Sequence, residues 1–204
     1  MNKVHGFGVW IATVILFLSV STQAQTEGPR EVVQRMTTDI LQVLKDKRHL
    51  LDEEPEAFYQ AVNDVLAPVV AFDYIANGVM GRYKKQATAE QKKRFSDVFQ
   101  MDIISTYAKG MAVYGNDEIV IEPLDGDLGA RRKVSVVQKV RGAKGENTVS
   151  YTMGKSKTNG QWLMLNVTIN GINLGKNFLS QFARAMKKKG DLDAVIDGWS
   201  ASSS

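Results

Sequence analysis

The hydrophobic pattern of this 204-residue chain predicts an α+β fold, a twisted antiparallel four-stranded sheet packed by six or seven helices. Two observations carry that expectation. Apolar residues recur at helical spacing from Arg30 to Tyr107, alternate between Glu118 and Ile169, and return to helical spacing after Gly171. Short turn signals separate the alternating runs, so consecutive strands pair as an antiparallel meander. The flanking helices must then bury their apolar stripes against it.

The elements follow in order. Val33, Met36, Ile40 and Leu44 mark a helix across Arg30–Lys47. Pro55 suits the first turn of a second, where its missing N–H costs nothing, with Phe58, Val62 and Leu66 on one face. Pro68 is expected to start a third, short and very apolar, through Val69, Val70, Phe72, Ile75 and Val79, with Gly81 as its stop. Thr88-Ala89-Glu90-Gln91 has the pattern of a capping box. It opens a long helix whose inner face carries Phe95, Phe99, Ile103 and Tyr107.

A strand near Glu118–Pro123 precedes the turn Asp125-Gly126-Asp127. Val134, Val136 and Val140 then alternate with Ser135 and Lys139, and Gly142-Ala143-Lys144-Gly145 forms a hairpin loop. Val149, Tyr151 and Met153 alternate with Thr148, Ser150 and Thr152. Asn159-Gly160 signals a tight hairpin into Trp162–Ile169. That last strand is apolar on both faces over Leu163, Leu165, Val167 and Ile169, so both faces should be covered. Leu174, Phe178 and Phe182 mark the next helix, with Lys187–Lys189 at its negative dipole end and Gly190 as a stop. A short helix from about Asp191 to Trp199 and a polar tail, Ala201–Ser204, complete the chain. No repeat, long linker or low-complexity segment divides it.

The N-terminus reads as an export signal. Lys3 supplies a positive start, Val9–Val20 is apolar apart from Thr13 and Ser19, and Thr22-Gln23-Ala24 offers small residues at a cleavage site. The run falls short of the ~20 residues a spanning helix needs. Residues 1–24 are therefore expected to be a signal peptide, and 25–204 a single domain exported to a bacterial periplasm. ATP and NAD chemistry are not expected there.

Composition removes several function classes. The net charge is +4, and cleavage takes away only one lysine, so the exported chain stays mildly basic. Its cations are dispersed apart from Arg131-Arg132-Lys133 and Lys187-Lys188-Lys189, unlike the concentrated, aromatic-interleaved surface of a nucleic-acid binder. With no cysteine, disulfides, thiol catalysis and Cys-ligated metals are excluded. His49 is the only histidine outside the signal, so a histidine-rich metal site cannot be built. Asp52-Glu53-Glu54 suits the N-terminus of a helix. Asp125 and Asp127 offer two carboxylates where a calcium loop needs six or more oxygens. No glycine-rich phosphate loop follows a strand. Asp73 and Asp102 lie on apolar helices and are the one candidate acid–base pair, the basis of an alternative reading as a periplasmic hydrolase. No cofactor is expected.

What stands out is apolar excess on the short helix, the long helix, the sheet and the helix after Gly171. A twisted sheet with helices on its concave side often leaves an apolar cavity.

An ordered set of residues then carries a family resemblance. Pro68-Val69-Val70-Ala71-Phe72-Asp73-Tyr74-Ile75-Ala76 is followed by Val79-Met80-Gly81-Arg82-Tyr83, then Gln91, Phe95, Phe99 and Thr106-Tyr107-Ala108. Trp162 to Leu174, with Asn166-Val167-Thr168-Ile169-Asn170-Gly171 at its centre, leads to Asn177-Phe178 and Gln181-Phe182. In order and spacing this resembles the MlaC family of periplasmic phospholipid-binding proteins, the toluene-tolerance auxiliary proteins. The resemblance implies a nuclear-transport-factor-2-like α+β fold with a phospholipid held by its acyl chains between sheet and helices. With it, the residues expected to line that pocket, as apolar contacts for acyl chains, are Val70, Phe72, Ile75, Val79, Phe99, Ile103, Tyr107, Val136, Val149, Tyr151, Met164 and Phe178. It implies a non-enzymatic, monomeric shuttle between an outer-membrane MlaA–porin complex and the MlaD ring of an inner-membrane ABC transporter, supporting outer-membrane lipid asymmetry. A carrier of another apolar ligand, an isoprenoid or hopanoid, is the alternative within binding proteins. Asn166 stands where the family usually has Asp, and Asn173 where it has Ser. Both keep hydrogen-bonding ability.

Overall fold

The computed structural model describes residues 27–111, 117–124, 126, 128–143 and 145–200. The expected signal peptide, Asp125 and Asp127 of the expected turn, Lys144 and the polar tail lie outside them. Among the described residues are seven α-helices and one five-stranded antiparallel sheet. The helices are α1 (Pro29–Lys47), α2 (Leu50–Glu53), α3 (Pro55–Leu66), α4 (Phe72–Val79), α5 (Ala89–Met111), α6 (Leu174–Lys189) and α7 (Leu192–Asp197), with a 3₁₀ turn at Gly81–Lys85. The strands are β1 (Glu118–Ile121), β2 (Lys133–Gly142), β3 (Gly145–Lys155), β4 (Trp162–Ile169) and β5 (Ile172–Asn173), in spatial order β1-β2-β3-β4-β5. The expected four strands become five because Asn170 and Gly171, both with positive φ, fold the chain back for a two-residue pairing on Thr168 and Ile169. Four-residue α2, unforeseen, carries Asp52 and Glu53 in its own first turn.

Local chemistry sets the helix ends. Pro29 and Pro55 occupy first turns. Thr88 and Gln91 form the reciprocal capping box: Gln91 N–H donates to Thr88 Oγ1 at 3.1 Å, and Thr88 N–H to Gln91 Oε1 at 3.0 Å. Gly81, at φ 55°, follows α4, and Gly190, at φ 72°, stops α6 after Lys187–Lys189.

Pro68 does not start α4, which begins at Phe72. The intervening backbone pairs with the sheet instead. Met164 N–H donates to Val69 O at 2.8 Å and Ala71 N–H to Met164 O at 3.0 Å, giving a parallel bridge between Val70 and Met164. β5 covers only Thr168 and Ile169, so Met164 lies on an open stretch of β4 edge. An unpaired strand edge is a stronger claim on this segment than proline's preference for a helix start.

Residues paired across an antiparallel ladder share a sheet face. One face carries Ile121, Gln138, Val149 and Ile169, then Val136, Tyr151 and Val167, then Val134, Met153 and Met164. The opposite face carries Glu118, Arg141 and Glu146, joined by ion pairs of 3.7 and 2.6 Å. A bulge opposite Thr152 and Met153 leaves Leu165 without a ladder partner.

Candidate functional site

The buried side chains form three clusters. Val32, Val33 and Met36 of α1 meet the apolar sheet face at Ile121, Val136, Met153 and Met164. Ile40 and Leu44, further along α1, meet Phe58 and Val62 of α3, Phe72 of α4 and Ile104 of α5. An aromatic cluster joins α4, α5, α6 and α7: Phe99 lies 5.7 Å from Phe95, 5.5 Å from Phe178 and 6.0 Å from Trp199, ring centre to ring centre. Helix α5 feeds two clusters at once, Phe95 and Phe99 on one side and Ile104 and Ala108 on another.

The twelve expected lining residues divide evenly. Phe72, Val79, Phe99, Val136, Met164 and Phe178 are fully buried members of the three clusters. Val70, Ile75, Ile103, Tyr107, Val149 and Tyr151 are half-buried. Ile75, Ile103 and Tyr107 flank the aromatic cluster, Tyr151 the sheet cluster, and Val70 touches both the sheet cluster and the α1–α3–α5 cluster. Val149 stands between Gln138 and Ile169 on the apolar sheet face. The half-buried set is thus drawn from α4, α5, the sheet and the Val70 bridge segment, at the borders of the three clusters.

Val167 and Leu174, read from the sequence as strand and helix positions but not as part of the lining, are half-buried against the same clusters. Their strand and helix periodicity was visible. The sequence reading did not single out Gln138. That residue holds an apolar-face position of β2, two residues from Val136, yet is 5% exposed. The alternation of Val134, Val136 and Val140 was the signal that its side chain points inward. Gln138 Oε1 accepts from Tyr151 Oη at 2.9 Å and from Thr37 Oγ1 of α1 at 3.3 Å. Burial pushes the Tyr151 phenol well above its ordinary range. The Tyr107 phenol is also raised, by burial first and then by the charge of Asp102.

The two asparagines noted in the sequence converge on one helix end. Asn173 Oδ1 accepts from Lys176 N–H at 2.9 Å, and Asn166 Oδ1 from Gly175 N–H at 3.0 Å. Together they satisfy two orphan donors of α6 and fix how that helix leaves the sheet.

The two acid–base candidates sit on different helices, Asp73 in α4 and Asp102 in α5. Asp73 accepts from the Ser96 hydroxyl, tying α4 to α5. Asp102 lies six residues further along α5, about 9 Å of helix rise from Ser96. No group of three or more His, Cys, Asp or Glu suited to a metal occurs among the described residues. A hollow of about 670 Å³ between α2, α3 and α5 is open and mixed in charge, lined by Asp52, Glu56, Tyr59, Ser105 and Lys109. It contains none of the expected acyl-chain contacts.

Comparison with known proteins agrees with the fold and the ordered residues. The family model described as MlaC protein matches residues 34–201. The toluene tolerance protein ttg2D of Pseudomonas putida is 40% identical over 186 residues, 90% of this chain and 84% of that protein. The intermembrane phospholipid transport system binding protein MlaC of Haemophilus influenzae is 23% identical over 190 residues, 91% of this chain and 88% of that protein. A solved phospholipid-binding protein from Ralstonia solanacearum, in complex with a phospholipid, has the same fold. Its TM-score is 0.75 at 24% identity, covering 83% of this chain and 93% of that one. The family match spans residues 34–201 and the Pseudomonas relative is 40% identical over 90% of the chain, so this protein belongs to the MlaC family.

Proposed function

We propose that this chain is a phospholipid carrier of the periplasm, reached through a cleaved signal peptide at residues 1–24. It holds lipid by its acyl chains and moves it between outer and inner membranes without chemical turnover. The observation that carries this reading is the family membership combined with the half-buried apolar set Val70, Ile75, Ile103, Tyr107, Val149 and Tyr151. Side chains of this kind at the borders of the buried clusters are available to a ligand at little cost to the clusters themselves. No described helix is long and apolar enough to cross a membrane.

Energetics support a carrier that unloads only at a partner. Two acyl chains hold about thirty methylenes, each worth ~0.8 kcal/mol on leaving water. The gross gain of ~24 kcal/mol exceeds the ceiling of non-covalent affinity, so ordering and cavity costs offset much of it. Escape into water is still slow, and transfer must take place while docked. The partners we propose are the MlaD ring of an inner-membrane ABC transporter and an outer-membrane MlaA–porin complex, met by a monomeric carrier.

Mass spectrometry of an organic extract from the purified exported chain tests the reading. Diacyl phospholipid near one molecule per chain is expected. An extract matching that of an unrelated periplasmic protein overturns it.

A further inference from the structure

Charge divides this chain unevenly. Residues 74–89 and 162–190 hold eight lysines and arginines and not one carboxylate. The remainder, with the other 18 of the 26 cations and all 22 carboxylates, is net −4. The fold brings the two positive segments together. The first runs from α4 through the 3₁₀ turn, the second from β4 through α6, and α4 and α6 pack side by side. All eight cations are exposed, and none forms an ion pair among the described residues. The carboxylates nearest in the chain are engaged elsewhere. Asp73 accepts from Ser96 of α5, Asp193 and Asp197 pair with Arg94, and Asp191 caps α7.

Apolar side chains stand out in this same positive field. Tyr74 and Ile172, each 60% exposed, and Leu179, 39% exposed, are three of the five large apolar side chains exposed among the described residues. Leu179 lies over Gly81, so close that a Cβ there would stand 2.6 Å from its Cδ1. Arg82 is thereby beside it, with its guanidinium held 4.9 Å over the Tyr83 ring. Lys176 is one turn back along α6. Ile75 and Leu174, half-buried against the aromatic cluster, carry the apolar surface inward beside Tyr74 and Ile172.

A bilayer with anionic headgroups matches both features. It attracts clustered cations, and exposed tyrosine and aliphatic side chains gain by entering the boundary between headgroups and acyl chains. An acidic protein surface matches only the first. Protein interfaces fix register by setting both signs of charge against their complements, and this face has a single sign. A face without such a code suits a fluid surface.

We propose that the α4–α6 face docks the protein on anionic phospholipid bilayers. Tyr74, Ile172 and Leu179 enter the headgroup layer, while Arg82, Lys84, Lys85 and Lys176 lie against its phosphates. This deepens the carrier reading and rests on it for the reason to visit a bilayer. Lipid can then enter or leave beside Ile75 while the protein is held at the membrane.

The test is flotation of the purified exported chain with vesicles of phosphatidylcholine, alone or mixed with phosphatidylglycerol, at low and high salt. Binding to the mixed vesicles at low salt, weak binding to the neutral ones and release at high salt are expected. Each cation at an anionic surface contributes about fivefold, so Lys84→Gln with Lys85→Gln should weaken binding by about 25-fold. Lys45→Gln with Lys47→Gln removes the same charge from the last turn of α1, in the net-negative remainder, and should leave binding near wild type. Tyr74→Ser should weaken binding several-fold without altering its salt dependence. All these positions are exposed, so the variants should fold. Equal binding to both kinds of vesicle overturns the proposal, and so do equal losses in the two lysine pairs, which assign the effect to net charge. A chain that ignores both vesicles yet carries extractable phospholipid also overturns it, leaving the carrier reading intact and an acidic protein as the occupant of this face. A chain that binds the mixed vesicles through Lys84 and Lys85 but yields no lipid on extraction upholds the docking face and overturns the carrier reading instead.

Discussion

Introducing one carboxylate at two positions of the same sheet face separates a ligand surface from a protein core. Val136 and Val149 both point to the apolar face, on adjacent strands. Val136 pairs with Tyr151, and Val149 with Gln138 one ladder step further on. They differ in surroundings: Val136 is 0% exposed within the α1–sheet cluster, while Val149 is half-buried. A charge left unpaired in the interior costs about 3–5 kcal/mol. In Val136→Glu that cost falls on the folded state, whose total stability is about 5–15 kcal/mol. The midpoint of thermal unfolding should drop by about 6–20 °C for a chain of this size, or folding should fail. In Val149→Glu the empty protein can leave the carboxylate hydrated, and the cost appears only when acyl chains displace water. Lipid affinity should fall by roughly 10²–10³-fold with the fold retained, since each 1.4 kcal/mol is tenfold. Circular dichroism melts and extractable lipid, measured on the same samples, decide between them. If Val149→Glu unfolds as Val136→Glu does, Val149 belongs to the core. If it stays folded and fully loaded, Val149 is not part of the site, and the argument from half-burial fails.

Further outcomes follow from the same geometry. Phe99→Ala removes the ring that touches Phe95, Phe178 and Trp199, and should cost about 3–5 kcal/mol in urea unfolding without abolishing the family fold. Asn173→Ala removes the side-chain acceptor for Lys176 N–H and should destabilise by about 0.5–2 kcal/mol, whereas Asn173→Ser, restoring the residue usual in the family, should cost less. Tyr151 ionises above the 10.0 of a free phenol, so the folded state keeps its proton where the unfolded state loses it. Its contribution to stability is full below pH 10 and declines above it. The urea midpoint should therefore fall less steeply above pH 10 in Tyr151→Phe than in the wild type. Phosphatidylethanolamine and phosphatidylglycerol should compete about equally for the site, because the proposed contacts are apolar. A hundredfold preference for either headgroup in a mixed-lipid loading assay would reveal a polar recognition site elsewhere.

Local signals proved readable where the chemistry is local. The capping box at Thr88 and Gln91, the proline opening α3, and the stop at Gly190 each depend on a few neighbouring residues. The start of α4 was misread because the competing partner of Val69 and Ala71 is Met164, more than ninety positions away. The Asn159-Gly160 signal marks a real reversal with Gly160 at φ 74°, but Ser156 N–H bonds to Gln161 O and the turn is wider than a two-residue hairpin. At the candidate site the limit is different. Periodicity tells which way a side chain points and is silent on what it meets. Phe99 and Ile103 lie one turn apart on the same stripe of α5, yet one is sealed among aromatic rings and the other is half-buried.

The bridge between Val70 and Met164 also bears on how such a protein stays apart from its own copies. An open sheet edge is a template for strand addition, and a chain with accessible apolar side chains has more to gain from stacking than most. Here the outer edge of β4 never presents a long uninterrupted ladder. The Val69–Ala71 backbone occupies it at Met164, Leu165 interrupts it as a bulge, and β5 closes it at Thr168 and Ile169. At the other end of the sheet β1 is only four residues long, and Arg30 of α1 spends its guanidinium on the carbonyls of Ile121 and Glu122 at 3.1 and 3.3 Å. Both margins are broken into pieces too short to recruit another strand, which suits a protein that must cross an aqueous space between cargoes without polymerising.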